Sequence, residues 1–164
     1  MIKFIENIRR KQEKKIRDLR ANQLKAKNDP NFKIHPQYQN DRIEKMIVMG
    51  LKEVTNHAKA GNLKLVVVAP NLEKVQSKGG LDDAVGNLKI ACNTLRPELG
   101  KTEPTPLAFA LSRVALGRSL GRSVPISAIG IRTITGCEKE YKKVTELLKA
   151  SQDSYGQESF IWFF

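Results

Sequence analysis

The chain has 164 residues, a net charge of +12 and a pI near 9.9, which favours an anionic partner. Cys92 and Cys137 are too few for a disulfide framework, and His35 and His57 form no zinc-ligand cluster, so we predict no bound metal and no cofactor. No apolar run is long enough to span a membrane and the charged N-terminus is unlike a secretory signal, so we expect a cytoplasmic or nuclear protein.

Residues 1–28 are predicted to form one long basic helix. This segment holds ten Lys or Arg and three Asp or Glu, a net charge of +7. Isoleucines and a leucine recur near helical spacing, and neither Gly nor Pro interrupts them. Such a helix has three possible environments: RNA, a partner groove, or solvent. Asp29-Pro30 should end it, and residues 31–37 are expected to be a linker.

From residue 38 to residue 69, helix and strand signals follow one another closely. The run RIEKMIVM is typical of a short helix or of a helix leading into a strand, and Gly50 ends it. A helix is predicted over Leu51–Ala60, with Gly61 as its C-terminal cap. The valine-rich segment Leu63–Ala69 is predicted to be a buried strand.

The second half of the chain continues the alternation of helices and strands. We predict helices over Leu81–Leu95 and from the N-cap Ser112 to about Leu120, and strands over Leu107–Leu111 and Val124–Ile131. The polar loop from Arg96 to Pro106 could contact RNA or a partner, or be an inert surface insertion. A last helix is predicted over Glu138–Ala150, with four inward-facing residues: Tyr141, Val144, Leu147 and Leu148.

This alternation predicts an α/β fold: a three-layer α/β/α sandwich on a small mixed sheet, preceded by the basic N-terminal helix. The expected organisation is a basic arm with linker (1–37), a domain (38–150) and an aromatic tail (151–164). The tail ends in FIWFF, which should either cover the domain or contact a partner.

Four sequence blocks lie in order between Arg42 and Leu148. They are GLKEV at 50–54, PNLEKVQSKGGLDD at 70–83, FALSRVALGRSLGRSVPIS at 109–127, and the following AIGI. In residue identity and spacing, these blocks resemble the kink-turn-binding superfamily of small ribosomal proteins, and within it the SECIS-binding branch. The resemblance implies the predicted fold and an RNA-binding function.

The first block carries the residues implied to recognise bases. In this superfamily the glycine permits close approach to RNA, and the glutamate accepts from guanines of sheared G·A pairs; those roles fall to Gly50 and Glu53. Without the resemblance, Glu53 would be a first-turn acid that favours the helix dipole. Many members have asparagine before the glutamate and lysine three residues after it. Here Lys52 precedes it, as in the SECIS-binding branch, and Asn56 follows it.

The other blocks supply the remaining residues implied to bind RNA. In this superfamily, the loop that corresponds to the third block packs an apolar face against the flipped-out nucleotide of a kink-turn, and Val124 and Ile126 would supply that face here. Phosphate contacts would come from basic and backbone groups nearby. Without the resemblance, the arginines would be interpreted as solvated side chains at a helix end. The implied residues are Arg118, Arg122, Ser123, Val124 and Pro125 in this block, and Gln76, Ser77, Lys78, Gly79 and Gly80 in the second.

Asp82-Asp83, at the end of the second block, is interpreted as a pair that complements a helix dipole, because the sequence offers no third metal ligand beside it.

The whole pattern predicts a non-catalytic RNA-binding protein without membrane contact. The implied RNA is the SECIS element of selenoprotein mRNA, and the implied role is selenocysteine incorporation at UGA during translation, with the ribosome and translation factors as further partners. The chain is short for a complete factor of that kind, so we expect a fragment or a compact form.

Two other functions remain open from the sequence. One is a structural ribosomal or mitoribosomal protein that binds an rRNA kink-turn, which would place the chain in the ribosome, including the mitochondrial one. The other is an RNA-modifying enzyme, which the sequence disfavours because it has no cofactor glycine fingerprint and no Cys–His pairing.

Overall fold

The computed structural model describes residues 1–29, 45–71, 81–95, 97, 101–155 and 162–163. Within these residues, helices and strands alternate along the chain. The helices are α1 (Ile2–Asn28), α2 (Leu51–Lys59), α3 (Leu81–Asn93), α4 (Arg113–Ser119) and α5 (Glu138–Tyr155). The strands are β1 (Ile47–Met49), β2 (Leu65–Val68), β3 (Leu107–Ala110), β4 (Ala128–Ile131) and β5 (Trp162–Phe163).

The strands form one mixed sheet in the order β1-β4-β2-β3-β5. β4 lies between β1 and β2 and is antiparallel to both, with Met49 opposite Ile129 and Val68 opposite Ala128. β3 is parallel to β2, and β5 is parallel to β3. β1, β2 and β3 therefore all end at the sheet edge where β4 begins.

Both faces of the sheet are covered, as the period-two alternation of side chains requires for a buried sheet. On one face, Val66 and Val68 belong to a cluster with Val54 of α2 and Leu88 of α3. On the other face, Leu65, Val67 and Ile129 belong to a cluster with residues of α1, α4 and α5. The predicted three-layer α/β/α sandwich is thus confirmed.

The start of α1 is part of this second core. Phe4, Ile5 and Ile8 are buried in the cluster, and Ile5 and Ile8 are fully inaccessible. Further along the helix, the Gln12 side-chain oxygen accepts hydrogen bonds from the backbone N–H groups of Met46 and Ile47, at 2.9 and 3.2 Å. The sequence predicted the helix and its basic faces, but none of its three expected environments describes the first turns. The domain boundaries at residues 37 and 150 stay a prediction.

The predicted strand Val124–Ile131 is half as long as expected. Only Ala128–Ile131 pairs in the sheet. The preceding residues are held by α4, because the N–H of Ile126 donates to the carbonyl of Arg113 and the N–H of Arg122 to that of Gly117, each at 2.9 Å. These bonds leave Val124–Ser127 as a loop between α4 and β4.

The last helix is longer than predicted and one of its inward residues is misplaced. α5 continues to Tyr155. Val144 and Leu148 are buried at i, i+4 spacing, whereas Leu147 is 61% exposed because it lies one position off that stripe. In the tail, Trp162 and Phe163 pair in register with Phe109 and Ala110. The choice between covering the domain and contacting a partner stays open for this tail.

The packing of α1 predicts a large difference between two isoleucine substitutions. Ile8→Ala should lower the free energy of unfolding by about 2–5 kcal/mol, because it leaves a cavity in a closed core. Ile2→Ala, at a position that is 43% exposed, should cost less than about 1 kcal/mol. Urea denaturation of both variants measures this difference. A small loss for both would mean that α1 is detached from the core in solution.

Candidate nucleic-acid interface

Several loops meet at the sheet edge where β4 begins. The N–H of Gly50, which follows β1, donates to the carbonyl of Ala128, and the N–H of Ala69, which follows β2, donates to that of Ser127, each at 2.9 Å. The Asn71 side-chain oxygen accepts from the N–H of Arg113 at 3.0 Å, at the start of α4. The start of the second sequence block is thereby fixed beside the first and third blocks.

Gly50 forms the sharp entry into α2. Its φ of 96° lies in a region that L side chains rarely adopt, so glycine is required by the backbone conformation. A Cβ on Gly50 would meet no atom within 4 Å, so the space in front of this residue is open. The first N–H groups of α2 have no carbonyl one turn earlier in the helix, and they can donate to an acceptor that occupies this space.

Gly117 allows the α4–β4 loop to pack closely on α4. A Cβ on Gly117 would collide with the carbonyl oxygen of Val124, and a helical residue with a side chain could not tolerate this approach. At the next turn, Gly121 has a φ of 65° and the Arg9 guanidinium of α1 lies against it. The loop is therefore held by α4 from one side and by α1 near its start.

A concave surface with a volume of about 600 Å³ opens between the entry to α2 and the α4–β4 loop. Val124 is 61% exposed there although it is apolar. Ile126 also lines the hollow, but it is buried at 8% exposure and belongs to the core cluster, so it offers less surface than expected. The described residues that line it are Met49, Gly50, Leu51, Arg122, Val124, Pro125, Ile126 and Ser127. This mixture of an apolar floor and one arginine suits an unstacked base with its phosphate.

A second hollow of about 380 Å³ lies between α2 and α3 and shares Leu51 with the first. Two of the predicted residues, Lys52 and Asn56, line this second hollow and not the first. The described residues that line it are Leu51, Lys52, Thr55, Asn56, Lys59, Ala84 and Asn87. Six of the predicted residues therefore line two adjoining depressions, with Gly50, Arg122, Val124 and Pro125 in the first and Lys52 and Asn56 in the second.

The remaining predicted residues take different positions. Glu53 is exposed in the first turn of α2 and lines neither hollow, and Ser123 and Arg118 are exposed in the loop and on α4. Asp82 and Asp83 fall in the first turn of α3, as the helix-dipole interpretation requires. Five predicted residues lie outside the described part of the chain: Gln76, Ser77, Lys78, Gly79 and Gly80.

The sequence interpretation missed residues of two kinds. Met49 and Ser127 line the first hollow, and Gly117 permits the close packing of the α4–β4 loop on α4; these contributions depend on contacts between distant elements. Lys59 and Asn87 line the second hollow. Lys59 could have been found from the sequence, because Lys52, Thr55, Asn56 and Lys59 follow the i, i+3, i+4, i+7 spacing of one helix face.

The two cysteines, Cys92 and Cys137, are free thiols and are buried. Burial raises the pKa of the Cys92 thiol to about 11, which keeps it protonated near neutral pH. Burial also raises the pKa of Cys137. Within the described ranges, His, Cys, Asp and Glu side chains form no group of three that could hold a metal ion. None of the described helices is both long enough and apolar enough to span a membrane.

Comparisons with known proteins match most of the chain. The model of the "Ribosomal protein L7Ae/L30e/S12e/Gadd45 family" matches residues 33–142. The chain is 40% identical over 122 residues to selenocysteine insertion sequence-binding protein 2-like from Homo sapiens, and 39% identical over 123 residues to selenocysteine insertion sequence-binding protein 2 from Rattus norvegicus. Each alignment covers 72% of this chain, but only 10% and 14%, respectively, of those relatives.

Among solved structures, the Giardia lamblia 15.5kD RNA binding protein aligns with a TM-score of 0.47 at 22% identity, covering 64% of this chain and 75% of that one.

The contact between Gly117 and Val124 predicts opposite effects for two glycine substitutions. Gly117→Ala should lower the free energy of unfolding by about 1–3 kcal/mol, because the new methyl group displaces the Val124 carbonyl. Gly86→Ala should raise stability by about 0.5–1 kcal/mol, because Gly86 is helical and its Cβ would meet nothing within 4 Å. Thermal unfolding measures both effects. A stabilised Gly117→Ala variant would refute the close approach of the loop.

Proposed function

The chain belongs to the ribosomal protein L7Ae/L30e/S12e/Gadd45 family, and we propose that it is a non-catalytic RNA-binding domain that recognises a kink-turn-like element. The first hollow supports this proposal most directly. It joins the glycine entry of α2 to an exposed apolar loop residue, Val124, at one rigid edge of the sheet. A nucleotide that leaves a base stack needs such an apolar surface, since single-stranded bases are bound by packing as well as by hydrogen bonds.

Basic groups around the hollow suit the phosphate backbone. Arg122 lines it, and Arg118 and Lys52 are exposed on the two elements that flank it. An arginine in this lining would position RNA without sequence preference, because phosphate contacts carry no base information. The net charge of +12 adds long-range attraction, which weakens as salt rises.

Glu53 supplies the base recognition in this proposal. A carboxylate close to a polyanion is unfavourable unless it accepts from base donors, and guanine offers such donors on its Watson–Crick edge. Glu53 is exposed one turn beyond the open space at Gly50, so RNA that fills this space lies within reach of its side chain. We assign it to the guanines of sheared G·A pairs.

We propose further that this RNA is a SECIS element. Support comes from the 39–40% identity to relatives named selenocysteine insertion sequence-binding proteins, over 72% of this chain. It also comes from the block PNLEKVQSKGGLDD, whose Asn71 contacts the start of α4 beside the proposed interface. The proposed role is selenocysteine incorporation at UGA during translation, in the cytoplasm, with the ribosome and translation factors as partners.

Binding of a nucleotide against the α4–β4 loop predicts that Val124→Ser weakens kink-turn binding about tenfold. Burying a valine side chain contributes roughly 1.5 kcal/mol, and serine removes that contribution. Val114→Ser is the matched control, since Val114 is 49% exposed on α4 and does not line the hollow. Fluorescence anisotropy with labelled kink-turn RNA measures both variants. Equal affinities of the two variants would remove the loop from the interface.

The assignment of Glu53 predicts an interaction with the guanine amino group. Glu53→Ala should cost about 1–3 kcal/mol of binding to a kink-turn with G·A pairs, as for other good base contacts. Replacing those guanines by inosine removes the N2 donor, so the wild-type protein should lose affinity and the alanine variant should hardly respond. Titration of both proteins with both RNAs gives the coupling free energy between the Glu53 side chain and the guanine N2 amino group.

Glu53→Gln is the matched isosteric variant and should weaken binding less than alanine does, because it keeps one acceptor. Thermal stability should change by less than about 1 kcal/mol in either variant, the usual contribution of a first-turn acid. If inosine weakened the wild-type and alanine proteins equally, Glu53 would be a helix-dipole acid. If SECIS RNA and an rRNA kink-turn bound equally well, the general function would stand and the SECIS assignment would fail.

A further inference from the structure

We infer that the groove between α2 and α3 is a second RNA contact, which binds the phosphodiester backbone of the strand that continues from the kink. The inference deepens the proposed function and rests on it. The groove has a volume of about 380 Å³, and its charged and amide residues are Lys52, Asn56 and Lys59 of α2 and Asn87 of α3. The family resemblance gave no role to Lys59 or Asn87.

One continuous face of α2 forms a wall of the groove. Lys52, Thr55, Asn56 and Lys59 are spaced i, i+3, i+4 and i+7, so their side chains lie in a row along the helix. Seven residues of helix place the two lysines about 10 Å apart along the axis. A row of this length suits an extended polyanion better than a single small anion.

The opposite wall belongs to α3 and combines a small apolar residue with an amide. Ala84 and Asn87 line the groove at i, i+3 spacing, and the small Ala84 side chain leaves space beside Lys52 and Asn56. Val54, Ala58, Leu88 and Cys92 form the apolar contact that holds α2 and α3 together beneath it. The groove is therefore a fixed feature of the packed helices.

The groove chemistry favours an anion. Among the described residues, its lining holds two lysines and no acidic side chain, and the amides of Asn56 and Asn87 can each donate hydrogen bonds. Lys52, Asn56, Lys59 and Asn87 are all exposed and can reach an incoming backbone. The Thr55 hydroxyl donates to the carbonyl of Leu51 at 2.7 Å, so its donor is already used. A cation is disfavoured by the two ammonium groups.

Continuity with the first hollow identifies the anion as the same RNA. Leu51 lines both depressions, at the start of α2. A strand bound at Gly50 can continue along the Lys52–Lys59 face without leaving the protein surface. Two described acids lie on the helices that form the groove, Glu53 on α2 and Asp83 in the first turn of α3, and neither is among its lining residues.

The test is the salt dependence of kink-turn binding by Lys59→Gln. The slope of log Kd against log salt should fall by about one, so the loss of affinity should grow about tenfold for each tenfold decrease in salt. Discrimination between intact and mutated G·A pairs should be unchanged, because phosphate contacts carry no sequence information. Lys142→Gln is the matched control, as Lys142 is exposed on α5, across the sheet from α2.

A second RNA locates the contact. Shortening the stems that flank the kink should abolish the difference between Lys59→Gln and wild type, if the groove holds a flanking strand. Equal slopes for Lys59→Gln and Lys142→Gln would overturn the inference. So would a lowered melting temperature of Lys59→Gln with an unchanged slope, since Lys59 would then only complement the C-terminal dipole of α2. Wild-type protein that failed to discriminate kink-turns would instead refute the proposed function.

Discussion

The position of β4 in the sheet is the constraint on which the proposed interface depends. β4 lies between β1 and β2 and is antiparallel to both, so its first residue lies beside the last residues of its neighbours. Backbone hydrogen bonds from Gly50 and Ala69 close this junction at 2.9 Å. Since β3 is parallel to β2, the turn into α4 is at the same edge. Loops that are distant in the sequence thereby meet on a rigid support, which precise recognition of a folded RNA needs.

Close packing extends this rigidity to the α4–β4 loop. The loop has no ladder partners between Arg122 and Pro125, and it is held instead by bonds to α4 carbonyls and by the approach that Gly117 permits. α1 contributes from outside the alternating part of the fold, because its first turns complete the core beneath α4 and Arg9 lies against Gly121. The N-terminal helix thus supports the proposed interface, whether or not its basic faces also contact RNA.

The chemistry of the two hollows follows from what the cores leave at the surface. Both sheet faces bury their aliphatic side chains under helices, whereas Val124 is left 61% exposed at this edge. The first hollow combines that residue with open backbone at Gly50, which suits a base outside its stack. The second carries lysines and amides along one helix face, which suits a backbone of phosphates. An RNA with a sharp bend can present both groups to adjoining surfaces.

The sequence by itself determined the order of helices and strands, the layered fold and the family, because these depend on local periodicity, helix caps and the residues of the four sequence blocks. It predicted Gly50 at a turn and Ser112 as an N-cap, since such positions require particular residue types. Tertiary structure alone decided that α1 packs into the core, that Val124–Ser127 is a loop, and that Gly117 must lack a side chain. These features depend on contacts between residues far apart in the chain, such as Phe4 with Tyr141, which no local pattern encodes. The same holds for the two hollows, whose walls come from elements that only the sheet order brings together.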